Sequence, residues 1–126
     1  MRVVTVTLII LIIFIVSAVM LDNYINDTTD DLLNDIEVLN NLIKENKWSE
    51  SEKQLANLQY TWEDVEKRWK LFLEHYEMDG IDVALSRLDQ YIEIENKPLA
   101  LGEMAELRLL IGHIKKKESF KLENIL

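Results

Sequence analysis

The run VVTVTLIILIIFIVSAVML, Val3 to Leu21, holds nineteen residues without a charge, and only Thr5, Thr7 and Ser17 in it are polar. As a helix rising about 1.5 Å per residue it covers roughly 28 Å, close to a bilayer hydrocarbon core of about 30 Å. A stretch this long and apolar on every side constrains all that follows: the chain after Leu21 is expected to sit at a membrane face. The run can be a cleaved signal peptide or a retained anchor. Val16-Ser17-Ala18 offers small residues to a peptidase, but the apolar run continues through Val19, Met20 and Leu21 and exceeds a usual signal core, so we read residues 1–21 as a retained transmembrane signal anchor. Arg2 precedes the run, whereas Asp22, Asp27, Asp30 and Asp31 follow it. The amino terminus is therefore expected in the cytoplasm, with the body outside the cell membrane. Only Met1 and Arg2 are then expected on the inner side, with no room for a cytoplasmic signalling domain.

All 23 acids lie after Leu21, against 13 of the 14 bases, so the body carries a net charge of −10. Phosphate repulsion argues against nucleic acid as a partner. With no cysteine in the chain, disulfides, thiol chemistry and thiolate metal sites are excluded. Three glycines and one proline among 126 residues lack the turn vocabulary of a sheet. The expectation is an all-α chain with one small domain: an N-terminal transmembrane helix, then an antiparallel helical bundle made of a juxtamembrane helix (22–47) and three further helices (48–126).

Periodicity supports that division. Ile25, Leu32, Ile36, Leu39 and Ile43 form one helical stripe; Asn26 to Thr29 are polar enough to interrupt or kink it, but the expectation is a helix that continues from the membrane. Ser49 with Glu52 reads as a capping box that opens a second helix. Its apolar positions Leu55, Leu58, Trp62, Val65, Trp69, Phe72 and Tyr76 alternate three and four, which predicts a helix to about Met78, ended by Gly80 in a left-handed cap. A third helix takes Ile81, Leu85, Leu88 and Ile92 inward, Asn96-Lys97-Pro98 stops it, and a fourth carries Ala100, Met104, Leu107, Ile111 and Ile114. The tail from Ser119 is expected to dock through Ile125 and Leu126. Antiparallel helices then place His75, Gly80, His113 and the lysines Lys115, Lys116 and Lys117 near the membrane, with the Trp48 turn remote from it.

Candidate sites follow from this placement. His75, Asp79 and His113 converge at one end in this topology, and two imidazoles with a carboxylate suit zinc or a similar cation. Capping of a helix end by a histidine is the alternative, and no close-spaced metal motif is present. Glu103 and Glu106 resemble a carboxylate pair but fall on a polar helix face. No nucleophile and base, phosphate loop or cofactor fingerprint occurs, so neither enzymatic activity nor a cofactor is expected. Lys115, Lys116 and Lys117 form a basic cluster, either a lipid-facing patch or a solvated helix end.

Trp62, Trp69, the segment His75-Tyr76-Glu77-Met78-Asp79, Leu85, Leu88, the run from Leu99 to Leu107, His113-Ile114 and the final Asn124-Ile125-Leu126 together resemble a known family. It is the domain-of-unknown-function family 4363, small proteins of spore-forming Firmicutes with one amino-terminal span. The resemblance extends over essentially the whole chain and includes no catalytic motif; Tyr76 and Met78 are its departures. It implies a Gram-positive host, an extracytoplasmic helical body and no assigned activity. It also implies an association with a multi-span membrane family of the YetF type, hence a membrane-protein partner. The expected function is a membrane-anchored interaction module that docks on another membrane protein or on itself, with Leu55, Leu58, Trp62 and Trp69 as the interaction surface; around Leu55, Leu58 and Trp62 the second helix needs the juxtamembrane helix or another chain as cover. The alternative is an extracytoplasmic ligand or metal sensor with a pocket between helices.

Overall fold

The structure, a computed structural model, describes the backbone of residues 1–125 and the side chains of residues 1–118 and Asn124. Four helices follow one another: α1 (Arg2–Lys44), α2 (Trp48–Trp69), α3 (His75–Glu93) and α4 (Lys97–Ile125). No strand occurs among the described residues. The helical expectation holds, and the juxtamembrane segment is not a separate helix but the second half of α1.

The helix continues unbroken from the apolar run, as the stripe led us to expect, and that continuity has a local cause. Asn26 to Thr29 do not break α1, because the Thr28 hydroxyl donates to the Tyr24 carbonyl at 2.6 Å and the Thr29 hydroxyl to the Ile25 carbonyl at 2.8 Å. Their polar groups are satisfied within the helix instead of competing with it. Before Ile25 nothing in α1 is buried; after it Ile25, Thr29, Leu32, Ile36, Leu39 and Ile43 are, at alternating spacings of four and three. The 43-residue helix thus reaches about 64 Å, of which only the second half packs.

The packed half joins α2, α3 and α4 in a cyclic arrangement. Each helix lies beside the next, and α4 closes the ring against α1. Leu58, Trp62 and Trp69 of α2, Met78, Ile81 and Leu88 of α3, and Met104, Leu107 and Ile111 of α4 meet α1's seam in one core. Burial of each such large apolar side chain contributes about 1.5–3 kcal/mol. Trp62 and Trp69 pack edge to face, ring centroids 5.6 Å apart.

The helix ends differ from the sequence expectation in three places. First, α2 stops at Trp69, not near Met78. Helical bonding gives way to tight turns, with the Leu71 and Phe72 amides donating to the Arg68 and Trp69 carbonyls at 3.2 and 3.1 Å, before Glu74 turns extended and opens α3. Turning after Trp69 sends Leu73 and Met78 into the core. Second, Gly80 therefore lies inside α3 and caps nothing. Third, α2 begins at Trp48, so Ser49 and Glu52 sit within the helix and make no capping box; the Ser51 hydroxyl donates to the Lys47 carbonyl at 2.7 Å.

The left-handed residues are Asn46 (φ 60°) and Glu95 (φ 55°), which end α1 and α3 at the same extremity of the bundle. Both turns have the same bonding. Lys47 N–H donates to Leu42 O and Asn46 N–H to Ile43 O; Asn96 N–H donates to Tyr91 O and Glu95 N–H to Ile92 O. These paired bonds satisfy the last free carbonyls of each helix, as in a Schellman motif. Asn96 then caps α4 by accepting the Leu99 N–H at 3.1 Å. At its other extremity α4 runs on to Ile125, no proline or glycine interrupting it after Gly112, where the sequence suggested a tail from Ser119. The docking expected of Ile125 and Leu126 lies outside the described residues.

Candidate functional site

Side chains near the start of α3 and along α4 supply the polar chemistry of one end of the bundle, here called the near end because α1's apolar half leaves from it. His75 and Asp79, on α3, and His113, on α4, are all exposed. No group of three or more His, Cys, Asp or Glu side chains is placed to hold a metal ion among the described residues. The metal-ligand set considered from the sequence is therefore not assembled.

The lysine cluster is divided. Lys115 reaches the Asp30 carboxylate of α1 at 2.5 Å. Lys117 turns to α3, 2.8 Å from Glu77 and 3.8 Å from Glu74, and lies 5.8 Å from the centre of the Tyr76 ring. Lys116 stays exposed. Glu77 is only 7% exposed, and Lys117 is the cation beside its carboxylate. The Glu77 hydrogen bond is the main cause that holds the Lys117 pKa well above the ordinary lysine value; partial desolvation opposes it. Sequence reasoning missed this buried pair because it assigned Glu77 to the end of α2; the available signal was its spacing of four before Ile81.

Leu55, Leu58, Trp62 and Trp69 are at most 3% exposed. This corrects the expectation that they form an open interaction surface. The cover that α2's first half requires is supplied by α1, and the Gln54 side-chain amide donates to the Asp35 carbonyl across that contact at 3.3 Å.

Glu103 and Glu106 both face Arg87 of α3, at 3.3 and 3.4 Å. Burial raises the Glu103 pKa, with Arg87 opposing and Glu106 adding to the shift. The two carboxylates clasp α3 to α4, as Arg108 clasps α4 to α1 through Glu37 at 3.0 Å. Between α2 and α3 the packing is looser. An open groove of about 320 Å³ runs there, lined by Gln59, Trp62, Glu63, Asp82, Leu85, Ser86 and Asp89, and Trp62 Nε1 donates to Asp82 Oδ1 at 2.6 Å on its wall.

A family model described as "Domain of unknown function (DUF4363)" matches residues 19–125, the bundle together with the last apolar residues of α1's first half. The chain belongs to the DUF4363 family. No curated protein and no solved structure matches it. In this DUF4363 member the matched region coincides with the packed core, and α1 has a segment long and apolar enough to cross a membrane, none of it buried.

Proposed function

We propose that this DUF4363 protein is a non-enzymatic, membrane-anchored interaction module. The observation that carries the reading is α1 itself: its first half is apolar on all sides and unburied, yet continuous with a half that is locked into the core. A helix with that character needs an apolar surrounding, and lipid supplies one without a further chain. Arg2 before the span and the acids after it favour a cytoplasmic amino terminus and a bundle on the extracytoplasmic side of the cell membrane. So anchored, the bundle serves to dock on a membrane protein, of which the multi-span YetF type is one candidate, or on a second copy.

The cysteine-free chain allows a direct test of the topology. Single variants R2C and N46C are exposed to a membrane-impermeant maleimide on intact cells. Labelling of N46C alone is the expected result; labelling of R2C alone reverses the orientation, and recovery of both in the soluble fraction removes the anchor. Crosslinking on intact membranes then reads the role: an adduct with a membrane protein or a dimer is expected, and a module recovered alone with a small ligand bound overturns docking. The α2–α3 groove favours that second reading, a sensor module whose ligand is cationic, since Glu63, Asp82 and Asp89 line it.

A further inference from the structure

Inter-helix contacts fix how far down α1 the bundle reaches. Arg108 pairs with Glu37, and Lys115, seven residues on, pairs with Asp30, seven residues back. The same antiparallel register, carried along the last ten residues of α4, brings its end at Ile125 level with Met20. On the opposite side of α1, Gln54 meets Asp35, and the same antiparallel register carried along α2 brings Trp69 level with about residue 20. The turn that follows Trp69 accordingly lies within about one helical turn of Leu21. Two separate lines of chain thus finish at the level where α1 passes from its uncharged run to Asp22.

The side chains on that base are unlike those elsewhere on the bundle. Leu71, at the tip of the α2–α3 turn, is 85% exposed, more than any other large apolar side chain described after Leu21. Tyr76 is 65% exposed beside it in sequence, at the start of α3. Lys67, Arg68 and Lys70 close α2, and Lys115, Lys116 and Lys117 lie toward the end of α4; Arg68, Lys70, Lys115 and Lys117 are paired with Asp64, Glu66, Asp30 and Glu77, while Lys67 and Lys116 are exposed. An apolar tip with a tyrosine and lysines around it is the composition that partitions to the boundary between acyl chains and headgroups.

We propose that the near end of the bundle seats on the lipid surface, Leu71 entering the boundary region and Tyr76, Lys70 and Lys116 lying at headgroup level. The seat rests on the reading of α1 as a membrane span. It gives the bundle a second point of attachment beside α1, so that its height and its rotation about α1 are set by the membrane, and the far end and outer faces are presented at a fixed distance.

Because the chain has no cysteine, nitroxide labels on L71C, I10C and E95C report one site each in the full-length protein, reconstituted in vesicles of phosphatidylcholine and phosphatidylglycerol. Leu71 and Glu95 are exposed and Ile10 packs against nothing, so the folded bundle tolerates all three. Expected is a graded preference for oxygen over an aqueous nickel complex as collision partner: strong at I10C, intermediate at L71C, absent at E95C. Nickel access at L71C equal to that at E95C, with I10C shielded, overturns the seat and leaves the anchor standing. Nickel access at I10C overturns the anchor and the seat with it. A label at L71C shielded from both reagents and broadened by a neighbouring label assigns the turn to a second copy instead of lipid.

Discussion

At the far end of the bundle, Asn46 and Glu95 take left-handed backbone angles and each closes its helix with paired backbone bonds, while Lys97 Nζ donates to the Lys44 carbonyl at 2.6 Å and ties the two turns together. At the near end, α2 gives way to α3 through residues 70–74, with no left-handed residue, no side-chain cap bond on Glu74 and Leu71 directed away from the core. There the closing is done by side chains: Trp69 and Leu73 plug the core, and Lys117 and Glu77 bridge α4 to α3. The contrast separates an end completed by backbone chemistry within the chain from an end whose most apolar exposed residue is left for a surrounding outside it. Substitutions at the two ends are therefore expected to differ in kind.

The largest effect belongs to Trp69, the plug of the near end. Trp69→Ala removes a fully buried ring and its edge contact with Trp62, and is expected to cost about 3–5 kcal/mol in chemical unfolding of the full chain followed by circular dichroism. Trp69→Phe is expected to cost much less, under about 1.5 kcal/mol, because Nε1 has no hydrogen-bond partner among the described residues and nothing polar is lost with it. Equal losses for both variants would mean that the indole N–H, not the ring's volume, closes this end.

Next comes the buried pair. Lys117→Met leaves the nearly enclosed Glu77 without its cation, so a lowered melting temperature is expected, with most of the loss recovered in the double variant Glu77→Gln/Lys117→Met. The pH dependence has a definite sign. A lysine whose folded pKa lies above its unfolded one stabilises fully below the unfolded value of 10.5, and the contribution fades as pH rises through the folded value. The gap between wild type and Lys117→Met should hold across neutral pH and narrow only in strong alkali. A gap that closes already near pH 8 would remove the ion pair as its cause.

How much of the two ends is legible in the sequence depends on what builds them. Seams are legible: Leu55, Leu58, Trp62, Val65 and Trp69, then Ile81, Leu85, Leu88 and Ile92, then Ala100 to Ile114, are all buried as their spacing requires. The α2–α3 turn is not, because no glycine or proline marks residues 70–74 and the three-four alternation runs on through Phe72 and Tyr76 across the break. The break goes with Leu73 and Met78 entering the core, a tertiary contact that a single helix's periodicity does not contain. That shift carried Gly80 into a cap it does not make and hid Glu77 from its lysine. For a related reason the spacing of Leu55 to Trp69 does not separate a covered seam from an open surface: it shows that a face is apolar but not which helix or chain covers it. The far-end turns were half visible. Glu-Asn-Lys recurs at 45–47 and 95–97, yet Asn46 takes the left-handed angle in one copy while Glu95 takes it in the other and Asn96 becomes the cap of α4.

That last difference gives the smallest prediction and the finest test of the far end. Asparagine tolerates the left-handed region through its short side chain, whereas a glutamate there sets Cβ against the following carbonyl. Glu95→Gly removes that conflict but returns entropy to the unfolded chain, so a net gain of about 0.5–1 kcal/mol is expected. Asn46→Gly starts from a better-suited residue and should change stability by no more than a few tenths of a kcal/mol. Both variants keep the paired backbone bonds, which do not depend on the side chain. If Glu95→Gly instead destabilises, the glutamate side chain holds the turn by a contact of its own, and the paired backbone bonds do not suffice to close α3.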